Sequence, residues 1–230
     1  MMLLVIDTSG PVCGVAVMSE ARVFCELTAQ NRNTHSASLM PMVEQALALS
    51  GRDLAEMDAL AVVTGPGSFT GVRIGVATAK GLAQGAGLPC VPVDALEALG
   101  RSAGLFEGVI CPIQDARAGQ VYGAAFRNQE RLRENRAIAL TDFLEDIDGL
   151  GDRFLFVGDG VAVHREAIAG RLGQRAVFAP THLGYLRPAA AGSLALENPE
   201  RMDFRSLRET YLRPPNAQKN KKLLEAMAHE

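Results

Sequence analysis

The chain has 230 residues, 48% hydrophobic and 21% charged, which suits a globular protein of one large domain or two smaller ones. A formal charge of −3 at pH 7 excludes a global attraction to nucleic acid or to an anionic membrane. Asp7 interrupts an apolar start that also lacks a basic leader, no apolar run is long enough to span a membrane, and the 4 cysteines form no CxxC pair, so a reduced, cytoplasmic protein without a zinc site is expected.

Three short strands are predicted over 3–9, 12–18 and 22–29, with tight turns at Gly10-Pro11 and Ser19-Glu20-Ala21. Such connections make an antiparallel meander. Asn33 and Thr34 are cap candidates for a helix over 39–50, where Leu39, Met42, Val43, Ala46 and Leu47 recur at helical spacing. Pro41 sits in its first turn or kinks it. A strand over 60–64, a glycine-rich loop, a helix over 71–84, a strand over 90–93 and a short helix from about Asp94 complete the first half. The order then returns. Strands are predicted over 108–113, 119–126 and 134–140, then a short helix capped by Thr141 and carrying Phe143, Leu144 and Ile147. A strand over 154–158, a helix over 161–172, a strand over 176–179 and a helix over 188–196, opened by Pro188, follow. Both halves read βββαβαβα. An α/β protein is expected, with similar domains at 1–104 and 105–214 and a weakly docked basic tail at 215–230.

The stretch TGPGSFTGVRIG (64–75) poses the functional question, because a glycine loop between a strand and a helix either cradles a phosphate or permits close packing. A P-loop needs Lys and Ser/Thr after its last glycine, and here Val72-Arg73 follow Gly71. A dinucleotide fingerprint needs a third glycine where Thr70 stands. A tight strand-to-helix turn is the better reading. In the helix itself Arg73, Ala77, Lys80 and Gln84 form the polar stripe, while Gly71, Gly75, Ala79 and Ala83 form a small-residue face beside Val72 and Val76. An interior glycine costs about 1 kcal/mol relative to alanine, so a packing reason is expected. Two remain open: a core that covers the helix on both sides, or a helix pair that docks on a partner.

Other chemistry is sparse. Asp7-Thr8-Ser9 ends the first strand and Asp115 ends the equivalent strand of the second half, a pairing that suits either phosphate loops or locally capped turns. Gly158-Asp159-Gly160 follows another strand. His35, His164, His182 and His229 have no metal-ligand spacing, and no GxSxG elbow is present. Arg205, Arg208, Arg213, Lys219, Lys221 and Lys222 make the end of the chain basic, which reads as a solvated tail or an RNA contact.

Taken together, LLVIDTS, NTHSASLMPMVEQAL, AVVTGPGSFTGVRIGVATAKGLA, CPIQDARAGQVY and ETYLRP resemble the bacterial TsaB (YeaZ) family, the non-catalytic relatives of the TsaD/Kae1 proteins. Gly65, Pro66, Gly67, Ser68, Phe69, Thr70 and Arg73, with Arg117 in the later stretch, carry the most specific part of the resemblance. It implies an actin/Hsp70-like (ASKHA) fold with two ribonuclease-H-like domains. It also implies a part in making N6-threonylcarbamoyladenosine (t6A) at position 37 of tRNAs that read ANN codons. In that system TsaD transfers the threonylcarbamoyl group from threonylcarbamoyl-AMP, TsaB binds and supports TsaD, and the P-loop ATPase TsaE joins them; contact with tRNA is indirect. The family's first-domain helix pair forms a four-helix interface with TsaD, or with a second copy in a homodimer when TsaD is absent. Carried onto this chain, the interface would use Leu39, Met42, Val43, Ala46, Gly71, Val72, Gly75, Val76 and Ala79.

TsaD relatives place a metal-binding histidine pair where this chain reads Ile113-Gln114-Asp115-Ala116-Arg117. The resemblance therefore implies no metal cofactor, no metalloprotease activity and no catalytic residue, with weak ATP or ADP binding at Asp7, Thr8, Ser9 and Asp115 as the extent of any nucleotide contact. The competing reading is an independent actin-fold, ATP-dependent phosphotransferase built on Asp7 and Asp115. A metallopeptidase ranks last.

Overall fold

The computed structural model describes residues 1–30, 34–198 and 200–213. The cap candidate Asn33 and the expected tail at 215–230 lie outside the described residues. Elements follow in the expected order. The first half holds β1 (Met2–Asp7), β2 (Cys13–Ser19), β3 (Val23–Ala29), α1 (His35–Ser50), β4 (Ala59–Gly65), α2 (Phe69–Ala86), β5 (Cys90–Asp94) and α3 (Ala95–Ser102). The second holds β6 (Val109–Asp115), β7 (Gln120–Arg127), β8 (Glu130–Ala139), α4 (Leu140–Ile147), β9 (Phe154–Val157), α5 (Gly160–Leu172), β10 (Ala176–Phe178) and α6 (Pro188–Glu197). The strands form two five-stranded sheets, ordered β3-β2-β1-β4-β5 and β8-β7-β6-β9-β10. The same topology is thus drawn twice, and β1 corresponds to β6.

Strand β1 shows why these segments are so apolar. Leu4 and Ile6 enter one core while Leu3 and Val5 enter another, since alternate side chains leave opposite faces of a strand. Both faces are covered, and the strand reads as a continuous hydrophobic run. Helices α1 and α2 cover the outer face of the first sheet, and α4 and α5 that of the second. Between the sheets lie α3 and α6, which cross over: α3 packs chiefly on β6 and β7, α6 on β1 and β2. The boundary expected near residue 104 falls between the sheets, yet α6 and the segment after it return to the first. Met202 pairs with Cys90 by two 2.9 Å backbone bonds, Leu207 is fully buried in the first core, and the Thr210 N–H donates to the Thr64 carbonyl at 2.7 Å.

Several boundaries differ from the expected ones by one to four residues, and three of them have a local cause. Helix α1 starts at His35, four residues early, with Thr34 at the N-cap, so Pro41 lies well inside it. Pro41 and Ala37 are both exposed, which leaves the carbonyl that the missing N–H would have met open to water. Helix α4 starts at Leu140 behind Ala139, not behind Thr141, because the Leu140 N–H is tied to the Gly119 carbonyl at 3.1 Å. Strand β8 begins at Glu130, because Asn128 (φ 48) and Gln129 (φ 70) make a two-residue left-handed turn that pairs Arg127 with Glu130. Glutamine resists that conformation and glycine does not. Gln129→Gly should therefore stabilise the protein by about 0.5–1 kcal/mol in urea unfolding; a loss of stability would contradict the turn assignment.

Candidate functional site

The first candidate turn is closed on itself. Asp7, Thr8 and Ser9 are 3%, 0% and 1% exposed. The Asp7 carboxylate accepts from the Ser9 N–H at 2.8 Å and from the Ser9 hydroxyl at 2.7 Å. The Thr8 hydroxyl donates to the Gly71 carbonyl at 2.7 Å, and the Ser68 N–H donates to the Ser9 carbonyl at 2.7 Å. Burial pushes the Asp7 carboxyl above the usual aspartate range, opposed in part by the Ser9 bonds and by His35. His35 is held by its Nε2 at 2.9 Å from the Gly10 carbonyl oxygen.

The glycine loop is what lies on this turn. A Cβ at Gly67 would run into the Ser9 carbonyl oxygen, one at Gly71 into the Thr8 carbonyl oxygen, and one at Gly75 into the Thr8 hydroxyl. Ser68 caps α2, its hydroxyl accepting from the Gly71 N–H at 3.2 Å. Gly65 and Pro66 are buried, and Thr70 and Arg73 are exposed on the first turns of the helix. The motif is a packing device. In this turn the Ser9 N–H and hydroxyl serve Asp7, the Thr8 hydroxyl serves Gly71, and the loop covers them.

The second turn is more open. Asp115 accepts from the Arg117 N–H at 2.9 Å, and Arg117 (φ 62) and Ala118 (φ 51) turn the chain into β7. Its carboxylate lies 3.7 Å from His164 Nε2 on α5, an atom that is buried and without a hydrogen-bond partner. Asp159, at the start of α5, meets both turns: burial first, then the charges of Asp115 and Asp7, push its carboxyl up to about 6, against backbone hydrogen bonds that pull it down. Sequence reading singled out Asp7 and Asp115 in matching turns and noted Asp159. His164 was weighed only as a metal ligand, and its place beside Asp115 on the buried side of α5 had no signal in the spacing. Among the described residues, no group of three or more His, Cys, Asp or Glu side chains could hold a metal ion.

Leu39, Met42, Val43, Ala46, Gly71, Val72, Gly75, Val76 and Ala79 are all buried within the chain itself. Each helix lays one stripe on the first sheet, and that stripe took these nine positions. The faces left outside carry Ala37, Met40, Pro41, Ala48 and Leu49 beside Ser36, Glu44 and Gln45 on α1, and Ala77, Gly81 and Gly85 beside Thr70, Arg73 and Gln84 on α2. Met40 is 38% and Leu49 64% exposed. Apolar residues do occur on two sides of α1, as periodicity indicated, but the side facing away from the sheet is the other one.

The ETYLRP segment forms a strap beside the glycine loop. The Arg73 guanidinium lies 4.0 Å over the Phe69 ring and donates from Nε to the Tyr211 hydroxyl at 2.9 Å. Arg213 donates to the Ala116 carbonyl at 3.1 Å, so the strap runs from the first domain to the second turn.

Two copies of one sheet topology, with an acidic turn ending the first strand of each, define a two-domain protein of the actin-like ATPase fold. An activator of 2-hydroxyisocaproyl-CoA dehydratase from Clostridium difficile, solved with bound ADPNP, has this fold at a TM-score of 0.52 and 11% identity, over 86% of this chain and 96% of that one, a likeness of fold alone. Closer relatives narrow the class. Residues 26–191 match the family described as TsaD, tRNA N6-adenosine threonylcarbamoyltransferase. The tRNA threonylcarbamoyladenosine biosynthesis protein TsaB of Bacillus subtilis (strain 168) is 34% identical over 224 residues, covering 95% of this chain and 96% of that protein. YeaZ from Pseudomonas aeruginosa superposes with a TM-score of 0.74 at 27% identity, over 92% of this chain and 99% of that one. The chain belongs to the TsaB (YeaZ) family of tRNA threonylcarbamoyladenosine biosynthesis proteins. Among the described residues, no helix is long and apolar enough to cross a membrane.

Proposed function

We propose that this chain is a non-catalytic subunit that binds TsaD and supports threonylcarbamoyl transfer to adenosine 37 of tRNAs reading ANN codons, with TsaE joining the complex and a homodimer replacing it when TsaD is absent. The observation that carries this reading is the first turn, where the groups that would grip a phosphate bond one another beneath the chain's own glycine loop. That closure argues against an independent phosphotransferase and leaves a surface as the working part. The outward face of α1 and α2 supplies one, where Met40, Leu49, Ala77 and Gly81 stand beside Glu44, Gln45, Arg73 and Gln84. Membership of the TsaB family supports TsaD as the partner.

Ala77 is exposed on this face, so a larger side chain there leaves the core alone. Ala77→Arg should weaken co-purification with TsaD at least tenfold, roughly 1.4 kcal/mol, and lower t6A formation in a reconstituted reaction to the same degree. Wild-type affinity in a folded Ala77→Arg protein would remove α2 from the interface. Turnover of ATP by the isolated chain, abolished in Asp7→Ala, would restore the phosphotransferase reading.

A further inference from the structure

On the outward face of α2, Arg73 stands one helical turn before Ala77, and both are exposed. The fold fixes where this arginine points. Its guanidinium lies 4.0 Å from the centroid of the Phe69 ring and 6.0 Å from that of Tyr211, and the two rings are themselves 5.0 Å apart. Its Nε is spent on the Tyr211 hydroxyl at 2.9 Å. Tyr211 is held in turn, because the Thr210 N–H is bonded to the Thr64 carbonyl and Leu207 is fully buried. Among the described residues, the two terminal nitrogens of Arg73 make no hydrogen bond and no ion pair. By contrast, Arg52, Arg101, Arg131 and Arg187 each meet a glutamate of this chain.

A loose arginine gives up much side-chain freedom when it is paired, and one already held in place gives up less. With Nη1 and Nη2 open, the aimed guanidinium is a fork for an acid that offers two oxygens. A carboxylate suits it better than a phosphate. Phosphate carries more charge than one guanidinium balances, and the other cations of this region are committed or distant. Arg208 and Arg213 donate to backbone carbonyls, while Lys80 lies two turns on, about 10 Å along the helix. We infer that Arg73, aimed by Phe69 and Tyr211, is the charged anchor of the docking face and takes an aspartate or glutamate carboxylate of the bound subunit. This rests on the reading that the outward face of α1 and α2 binds TsaD, and it names the chemistry of that contact. Tyr211 is a positioning residue that acts through Arg73.

The test is equilibrium binding of the full chain to immobilised TsaD over a range of salt concentrations. Arg73→Gln should weaken binding by about 30-fold or more, as when one member of a desolvated charge pair is removed, and should flatten the salt dependence. Arg73→Lys keeps the charge without the fork and should recover only part of that loss. Tyr211→Phe keeps the ring but removes the hydroxyl that fixes Nε, and should weaken binding about 2- to 12-fold. In an Arg73→Gln background the same tyrosine change should make no difference, a coupling that a merely structural tyrosine would not show. If Ala77→Arg blocks binding while Arg73→Gln binds as wild type at every salt concentration, the inference is overturned and the docking face stands. If the wild-type chain does not bind TsaD at all, the docking reading fails and the inference with it. Additive losses from Tyr211→Phe and Arg73→Gln would overturn the positioning role. Inorganic phosphate that competes with TsaD at constant ionic strength for the wild type, but not for Arg73→Gln, would overturn the carboxylate assignment.

Discussion

Gly71→Ala is expected to cost about 3 kcal/mol of folding stability, while Gly81→Ala in the same helix is expected to add up to about 1 kcal/mol. Both replacements offer α2 the better helix former, so propensity alone predicts two gains. The surroundings decide otherwise. A Cβ at Gly71 would meet the Thr8 carbonyl oxygen, a backbone atom at the end of a fully buried strand that has nowhere to move. Relief would require α2 to lift, which breaks the bond from the Thr8 hydroxyl to the Gly71 carbonyl, worth about 1 kcal/mol. At Gly81 a Cβ meets nothing within 4 Å. For a chain of this size, differences of that order move the melting temperature by about 6–12 °C downward and 2–4 °C upward. Thermal unfolding checks both. Equal gains for the two variants would show that the loop does not lie on the Asp7-Thr8-Ser9 turn. Gly75 belongs with Gly71: its notch receives the Thr8 hydroxyl, so a Gly75→Leu variant would report on the fold rather than on partner binding.

Stability should also fall as pH rises from about 4 to about 6, and Asp159→Asn should remove most of that fall. The folded-state carboxyl of Asp159 is pushed up to about 6, whereas an unfolded aspartate titrates near 3.8. Between these values the folded protein keeps a proton that the unfolded chain has released. Protonation therefore favours folding at low pH, and the advantage disappears as pH climbs through the folded value. The full displacement would be worth about 3 kcal/mol at 1.36 kcal/mol per tenfold change in proton affinity. Partial exposure to solvent reduces this to about 1–2 kcal/mol. Asp159 caps α5 without a side-chain hydrogen bond, so asparagine there loses no capping contact. Asp7, also raised by burial, acts in the same direction. Urea unfolding of both proteins from about pH 4 to pH 7.5 measures the effect. The variant should match wild type at the acid end and exceed it at neutrality, and parallel curves would mean that Asp159 is solvated like an ordinary surface carboxylate.

Much was legible from the residues in order. Short apolar runs, the turn residues between them and the helical spacings determined that each half is βββαβαβα, and the missing lysine after Gly71 determined that the loop is no P-loop. Local chemistry suffices for such features because an amino acid's conformational preference and its neighbours lie a few positions away. Tertiary structure decided what each face touches. Periodicity groups Leu39, Met42, Val43 and Ala46 on one stripe of α1, but whether that stripe meets the chain's own sheet or another protein depends on packing from residues far along the sequence. The crossing of α3 and α6 between the sheets, and the return of Leu207 and Thr210 to the first domain, are of the same kind. So is the meeting of Asp7, Asp115 and Asp159. Long-range burial and charge are set by positions in space, and no spacing along a single chain encodes which distant groups will share a dry interior.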